Sequence, residues 1–397
     1  MTPENIIEIC VAIDIAILSI SYPIIVDKIS SIGDKYSSEY ISVLFNNEFP
    51  QKSVKININK KEYGTPFFKL TLFATLVSFI FLIFKLEPLF GWDNWVINNS
   101  AKLTVLFLTI FLIILFFIWL GKVALYNGKS KTLLTHIISN YNMSKADTEL
   151  QSYHLKAINE LAFYAIEKQD EHLQKTLLEF YYTVFVNIRK KHDKSNPLVY
   201  PIDLYFLVSK LNEIAAKNES KLRVIENRAA SGCWLLGQDF IDIKISDETY
   251  SWLWRNIYTI CDSPRLIKMF WAHSTQYFKL RLKSVVPNYA NEQGKCVIIN
   301  EKQVEDRKSE RNRFLEFHYA LGGLLLYRKQ YKTLPYLFEY SQYDPPEYVL
   351  LPKTPTDIFH WFEYFRNELN RQTPIDFSFR YSFPELDNLG NRRQVNY

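Results

Sequence analysis

Hydrophobic positions follow two different patterns along this chain. In the first 126 residues they collect into three long apolar runs, 6–26, 66–86 and 103–120, with polar stretches between them. Beyond Tyr126 they recur every three or four residues in a charged background. The run Leu103–Leu120, LTVLFLTIFLIILFFIWL, has no charged residue and no polar face. As a helix it covers roughly 27 Å, the hydrocarbon thickness of a bilayer. A soluble core helix of that length keeps one wet stripe, so the run predicts a transmembrane helix.

The run 6–26 opens on MTPENIIE, acidic where a secretory signal is basic, and no small-residue cleavage site follows. It predicts a first span and not a cleaved signal. Glu8, Asp14 and Pro23 make it the least apolar of the three. The run 66–86 predicts a second span, with Lys69 and Lys85 near its ends where long stems reach headgroups. Trp92, Trp95 and Phe90 mark an interface after it. The 27–65 loop carries Lys28, Lys35, Lys52, Lys55, Lys60 and Lys61, and Lys122, Lys129 and Lys131 follow the third run, whereas 87–101 has no basic residue. The positive-inside rule then puts the N-terminus outside, the 27–65 loop inside, and everything after Leu120 in the cytoplasm. Within that loop, Tyr40, Val43 and Leu44 space an interfacial amphipathic helix, and VKINI alternates as a short strand.

From 127 to 397 the pattern predicts a cytosolic all-α domain. SKAD at Ser144–Asp147 resembles a capping box opening a helix through Glu167. Further helices are expected at about 170–191, 202–217, 219–239, 247–260, 264–283, 302–328, 331–342 and 355–371, with 284–300 irregular and a terminal loop from Gln372. The segment Arg313–Ser341 resembles a tetratricopeptide-style helical hairpin, in which Gly322 and Gly323 would permit close packing. No second copy follows at the repeat period, so the reading is an α-hairpin stack.

Composition adds little to this. A chain of 397 residues fits a membrane part of 1–126 plus one large or two small soluble parts. The mean hydropathy of -0.12 averages apolar helices with a charged tail. A net charge of +5 does not by itself demand nucleic acid. Four scattered cysteines without a CxxC indicate neither a zinc site nor a disulfide framework, and no metal or cofactor is expected.

Candidate chemistry is sparse. Cys10, Asp14 and Ser21 share one face of the first run, and a carboxylate near mid-bilayer is functional by default. That face is a candidate lining of an aqueous path in an oligomer; the alternative is a carboxyl bonded to a neighbouring helix. Thr71, Thr75 and Ser78 share a face of the second run and read as inter-helix contacts. Glu8 and Lys85 fall at one depth, about 12 Å outward of the midplane, and are expected to pair. In the tail, Lys279, Arg281 and Lys283 lie beside Tyr277 and Phe278, and Arg307, Lys308, Arg311 and Arg313 follow, a mixture of charge and rings that suits a nucleotide or oligonucleotide. The alternative for each cluster is a solvated helix face, and the same holds for Arg189-Lys190-Lys191-His192.

Arg311-Asn312 with His318 resembles the Arg-x4-6-His pattern of HEPN-type ribonucleases. That resemblance implies a membrane-tethered ribonuclease in which His318 moves protons and Arg311 stabilises phosphate charge. No GxSxG, HExxH, Walker A or GxGxxG accompanies it. The stretch SYPIIVDKISSIGDKYSSEYISVLF after a polar first span, followed by a sensor-sized tail, is similar to bacterial anti-phage membrane effectors, including the channel-forming subunit of Hailong-type systems. That resemblance implies an oligomeric ion-conducting pore in the bacterial inner membrane. Its gate would be a nucleotide-type ligand bound to the tail, with a partner enzyme encoded nearby. A scaffold that binds a partner protein is the non-conducting alternative.

Overall fold

Helices occupy all three apolar runs. The computed structural model describes residues 6–24, 30–48, 54–58, 61–65, 67–84, 95–145, 148–219, 222–237, 241–285, 301–338, 351 and 355–372. The fold is all-α apart from one two-stranded hairpin among the described residues. It divides into two compact units, Met1–Leu177 and Leu178–Tyr397.

In the first unit, α1 (Ile6–Pro23) leads to α2 (Ser30–Tyr36) and α3 (Glu39–Glu48), the amphipathic stretch of the polar loop. Strands β1 (Val54–Ile58) and β2 (Lys61–Thr65) pair antiparallel, so VKINI is a strand as its alternation requires. Then come α4 (Phe67–Phe84), the single turn α5 (Trp95–Asn98), α6 (Ser100–Asn127), α7 (Ser130–Met143) and α8 (Glu149–Glu167). Among the described helices α6 is the one long and apolar enough to cross a membrane; Thr71–Phe84 of α4 is a shorter apolar segment.

Helices α1, α4 and α6 pack against one another. Each turns a narrow stripe inward at three- and four-residue spacing. On α1 it is Ile7, Cys10, Val11, Asp14, Ile17 and Ser21; on α4, Thr71, Ala74 and Ser78; on α6, Val105, Thr109, Leu112 and Phe116. Their outer faces keep large side chains exposed, among them Ile15, Phe73, Phe84, Phe107, Phe117 and Ile118.

At one end of these helices α2 and α3 pack on α8, and α7 packs on α6 and α8. Tyr36 meets Tyr164 edge-on at 5.1 Å, and Phe45 meets Tyr126 at 5.1 Å. Helix α8 opens at Thr148, whose hydroxyl accepts from the Gln151 amide at 3.3 Å. The expected cap at Ser144 is corrected by this: Ser144 closes α7 instead, its amide and hydroxyl both bonding the Asn140 carbonyl.

Helix α9 (Glu171–Lys191) begins in the first unit and ends in the second. The second unit continues with α10 (Ile202–Lys217), α11 (Val224–Ala230), α12 (Asp247–Ile260), α13 (Pro264–Val285), α14 (Glu301–Tyr327) and α15 (Pro355–Asn370). The helix expected over 219–239 is shorter because Gly232 takes a left-handed φ of 73° just past Ala230 and ends it.

From Phe314 to Leu326 α14 is buried on every side, which makes it the central helix of this unit. The hairpin expected over Arg313–Ser341 is thereby corrected. The described part of its second arm is a 3-10 turn, Leu334–Phe338, with Pro335 inside it, and 339–341 lie outside the described residues. The two glycines do admit a close neighbour, but it is α15: a Cβ on Gly322 would overlap the Phe362 ring.

Candidate functional site

Where three apolar helices meet, polar side chains need partners from within the chain. The Ser78 hydroxyl of α4 donates to Asp14 Oδ2 of α1 at 3.1 Å, with both residues fully buried. Thr109 of α6 faces the same carboxyl, so one residue from each helix meets at this point. Cys10 lies one turn away against Ile7, Val11 and Val105. Ser21 bonds its own helix, donating to the Ile17 carbonyl at 2.6 Å. Cys10, Asp14 and Ser21 therefore share a face as expected, and that face is packed inside a single chain. The alternative of a carboxyl bonded to a neighbouring helix is the arrangement found.

On α4 the expected inter-helix set divides. Ser78 bridges helices, whereas Thr75 donates to the Thr71 carbonyl of its own helix at 2.9 Å; Thr71 is buried. Glu8 is exposed, and Lys85 lies outside the described residues, so their expected pairing does as well.

A second polar cluster sits at the end of α6, and sequence reasoning missed it. Glu48, the last residue of α3, accepts from Lys122 Nζ at 2.9 Å, from His136 Nε2 at 2.7 Å and from Asn140 Nδ2 at 2.6 Å. Burial raises the Glu48 carboxyl, but the hydrogen bonds and charges of His136 and Lys122 outweigh it, so it lies below its usual value. Nearby, Lys35 of α2 donates to the Asn127 and Gly128 carbonyls at 3.0 and 2.7 Å, capping the negative end of α6. Only the i, i+4 spacing of His136 and Asn140 was visible in the sequence; Glu48 stands 88 residues away.

In the second unit most of the expected basic site is structural. Arg281 is buried, donating to the Ile241 carbonyl at 2.8 Å with Glu310 at 3.4 Å. Arg313 donates to the Ile245 carbonyl at 3.3 Å and pairs with Asp247 at 3.0 Å. The two guanidiniums hold the 241–246 segment in place. Tyr277 and Phe278 are buried and present no stacking platform. Lys279 and Arg311 are partly exposed, and the side chains of Lys283, Arg307 and Lys308 lie outside the described ones. The expectation of one basic binding face is corrected accordingly, because two of its cations are committed to loop carbonyls.

His318 is fully buried. Its Nε2–H donates to the Leu337 carbonyl at 2.7 Å, and its ring lies 4.5 Å from that of Trp271 and 5.3 Å from that of Phe362. Burial pushes the imidazole down to about 3. A neutral ring sealed among aromatics can neither reach a substrate nor exchange protons with one, which removes it from the ribonuclease role suggested beside Arg311.

Arg189 was expected on a solvated face and is instead 5% exposed. Its Nε donates to the Tyr200 hydroxyl at 2.8 Å, and Nη2 donates to the Trp234 carbonyl. The guanidinium lines a small cleft with Tyr200, Gly237, Lys244, Thr249 and Tyr277. No group of three or more His, Cys, Asp or Glu able to hold a metal occurs among the described residues. No family model, curated protein or solved structure matches the chain.

Proposed function

We propose that the chain is an integral membrane protein whose α1, α4 and α6 cross the bilayer, with the N-terminus outside and residues after Asn127 in the cytoplasm. One observation carries this reading. Helices α2 and α3, from the polar loop after α1, are folded together with α7 and α8, which follow α6. The Glu48 cluster and the Lys35 cap fasten the two sets. Both must then lie on one side of the membrane, which holds when α4 and α6 each cross once. The lysines assign that side to the cytoplasm, and the exposed apolar outer faces of the three helices supply the lipid-facing belt. Alkaline extraction of membranes should leave the protein in the pellet. Protease should cleave residues beyond Asn127 in inverted vesicles and spare them in intact cells. Recovery in the soluble fraction, or cleavage from outside, overturns the reading.

Within this frame we read the activity as gated ion conduction by an oligomer, of the kind that anti-phage membrane effectors carry out, with a nucleotide-type ligand acting on the helical cytoplasmic unit. A single three-helix bundle packed around Asp14 encloses no water path, so the path would form between copies. Asp14 and Ser78 then set the packing of α1 on α4 that each copy brings to the assembly. In liposomes the wild type should pass ions when ligand is present, and Asp14→Leu should lower the flux by about tenfold, the effect of ~1.4 kcal/mol on the open arrangement. Equal flux removes Asp14 from the gate. No flux from the wild type with any nucleotide leaves the membrane anchor without the pore.

A further inference from the structure

The pore reading leaves open what holds the three helices together, and two atoms at their meeting point have unmet hydrogen-bonding capacity. Asp14 Oδ1 and Thr109 Oγ1 have no hydrogen-bond partner among the described residues, and the two residues are buried, at 0% and 2% exposure. The other carboxyl oxygen, Oδ2, accepts from the Ser78 hydroxyl at 3.1 Å. Thr109 faces the carboxyl from α6. One oxygen of the acid is satisfied, and the other is unmatched in the same place as an unmatched hydroxyl.

An ionised carboxylate is a poor occupant of that place. It can only accept hydrogen bonds, and away from water it needs a cation or several strong donors. Helices α1, α4 and α6 bring no cation to it. Lys69 and Lys102 stand nine and seven residues from Ser78 and Thr109, roughly 14 and 10 Å along their helices. Lys122, at the other end of α6, is held by Glu48. The groups that face Asp14 are Ser78 from α4 and Thr109 from α6, both neutral hydroxyls. The titratable group beside it is Cys10, one turn back on its own helix and near Thr109 as well, and a thiol adds no positive charge. A buried acid without a counter-charge becomes neutral by keeping its proton.

We propose that this three-helix contact is a proton-binding site, in which Asp14 is a carboxylic acid that accepts from Ser78 at Oδ2 and donates its Oδ1 proton to Thr109 Oγ1. The proton turns the carboxyl from an acceptor alone into a donor and acceptor. A single acid then ties α1 to both α4 and α6. The site deepens the pore reading, and rests on it only for what opening does. Parting of the helices admits water to Asp14; the O–H bond breaks, the proton passes to water, and the carboxylate is left hydrated. Opening therefore releases one proton, so raising the pH favours the open arrangement. Leucine at this position gains nothing from the entering water, which is why it should disfavour opening.

The test is infrared spectroscopy of the full-length protein in lipid vesicles at neutral pH, with the spectrum of Asp14→Asn subtracted. Asparagine keeps the shape and a donor toward Thr109 and removes the carboxyl. The difference should show the carbonyl band of a protonated acid, shifting in deuterated water. Thr109→Val, which removes the acceptor, should move that band to higher frequency. Carboxylate bands in place of the acid band overturn the site, as does an acid band that Thr109→Val leaves unmoved. If Asp14→Asn does not fold, the wild-type acid bands against those of Thr109→Val decide the matter. Hydrogen exchange is the second arm: protection of the α1 and α6 amides, corrected for intrinsic rates, should fall as the pH rises, by up to about tenfold per unit for one linked proton. An acid band with pH-independent protection leaves the proton in place and overturns its release on opening. Neither readout needs ions to flow, so a protein that conducts nothing removes the pore and leaves the proton site standing.

Discussion

Acidification from about pH 7 to about pH 4.5 is expected to remove on the order of 3 kcal/mol of stability through His318 alone. The sign follows from where the proton binds. Folded His318 is held down to about 3 by burial, which outweighs the opposing Nε2–H bond to the Leu337 carbonyl; Nδ1 meets no acceptor among Trp271, Phe314 and Phe362. Unfolded, it titrates near 6.5. Its contribution is therefore complete above that value, and it drains away at about 1.4 kcal/mol per pH unit as the pH falls toward 3. Urea unfolding followed by tryptophan fluorescence, with Trp271 beside the ring as reporter, measures the loss. His318→Phe keeps the aromatic packing and gives up the Leu337 bond, which lowers stability equally at both pH values. The variant should lose the histidine share of the pH slope, while Glu226, whose carboxyl burial raises, acts alike in both proteins. Parallel slopes would mean that the ring is hydrated and free to titrate, and the ribonuclease reading would regain its histidine.

The features legible in the sequence are those set by short-range periodicity. The three apolar runs, the amphipathic stretch that became α3, the strand VKINI and the bounds of α12 all follow from spacing within a window of a few turns. What escaped depends on partners far along the chain. Glu48 reads as one more acid until α7 brings His136 and Asn140 to it, and Arg189 reads as the head of a basic run until Trp234 and Tyr200 enclose it. Arg281 and Arg313 looked like phosphate binders because charge is visible in a sequence and the carbonyl that uses it is not. Asp14 is the intermediate case. Its place inside an apolar run was readable and marked it as costly to bury, but the partner, Ser78 or water, was fixed only when α4 packed beside α1.

The glycines of α14 give the sharpest test of the second unit, because they reverse a general rule. Gly→Ala inside a helix ordinarily stabilises by roughly 0.5–1 kcal/mol, since alanine restricts the unfolded backbone. At Gly323 the new Cβ would lie 2.6 Å from Phe365 Cβ and 2.8 Å from the Arg366 amide nitrogen, which are main-chain-fixed atoms of α15. No rotamer change relieves such a contact, so α15 must move outward, and Phe362 and Phe365 lose the wall they pack on. The expected outcome for Gly323→Ala is destabilisation at the upper end of the ~1–3 kcal/mol range for overpacking. It should come with faster proteolysis between Pro355 and Asn370, since α15 is held chiefly through α14. The nearest atoms that Gly322→Ala meets are those of the Phe362 ring, and that ring is itself wedged against His318, Tyr319 and Phe338, so relief by rotation is blocked there too. A stabilised or unchanged Gly323→Ala variant would show that α15 does not lie against α14 at van der Waals distance. Burial of α14 on all sides, and with it the sealed environment of His318, would then have to be given up as well.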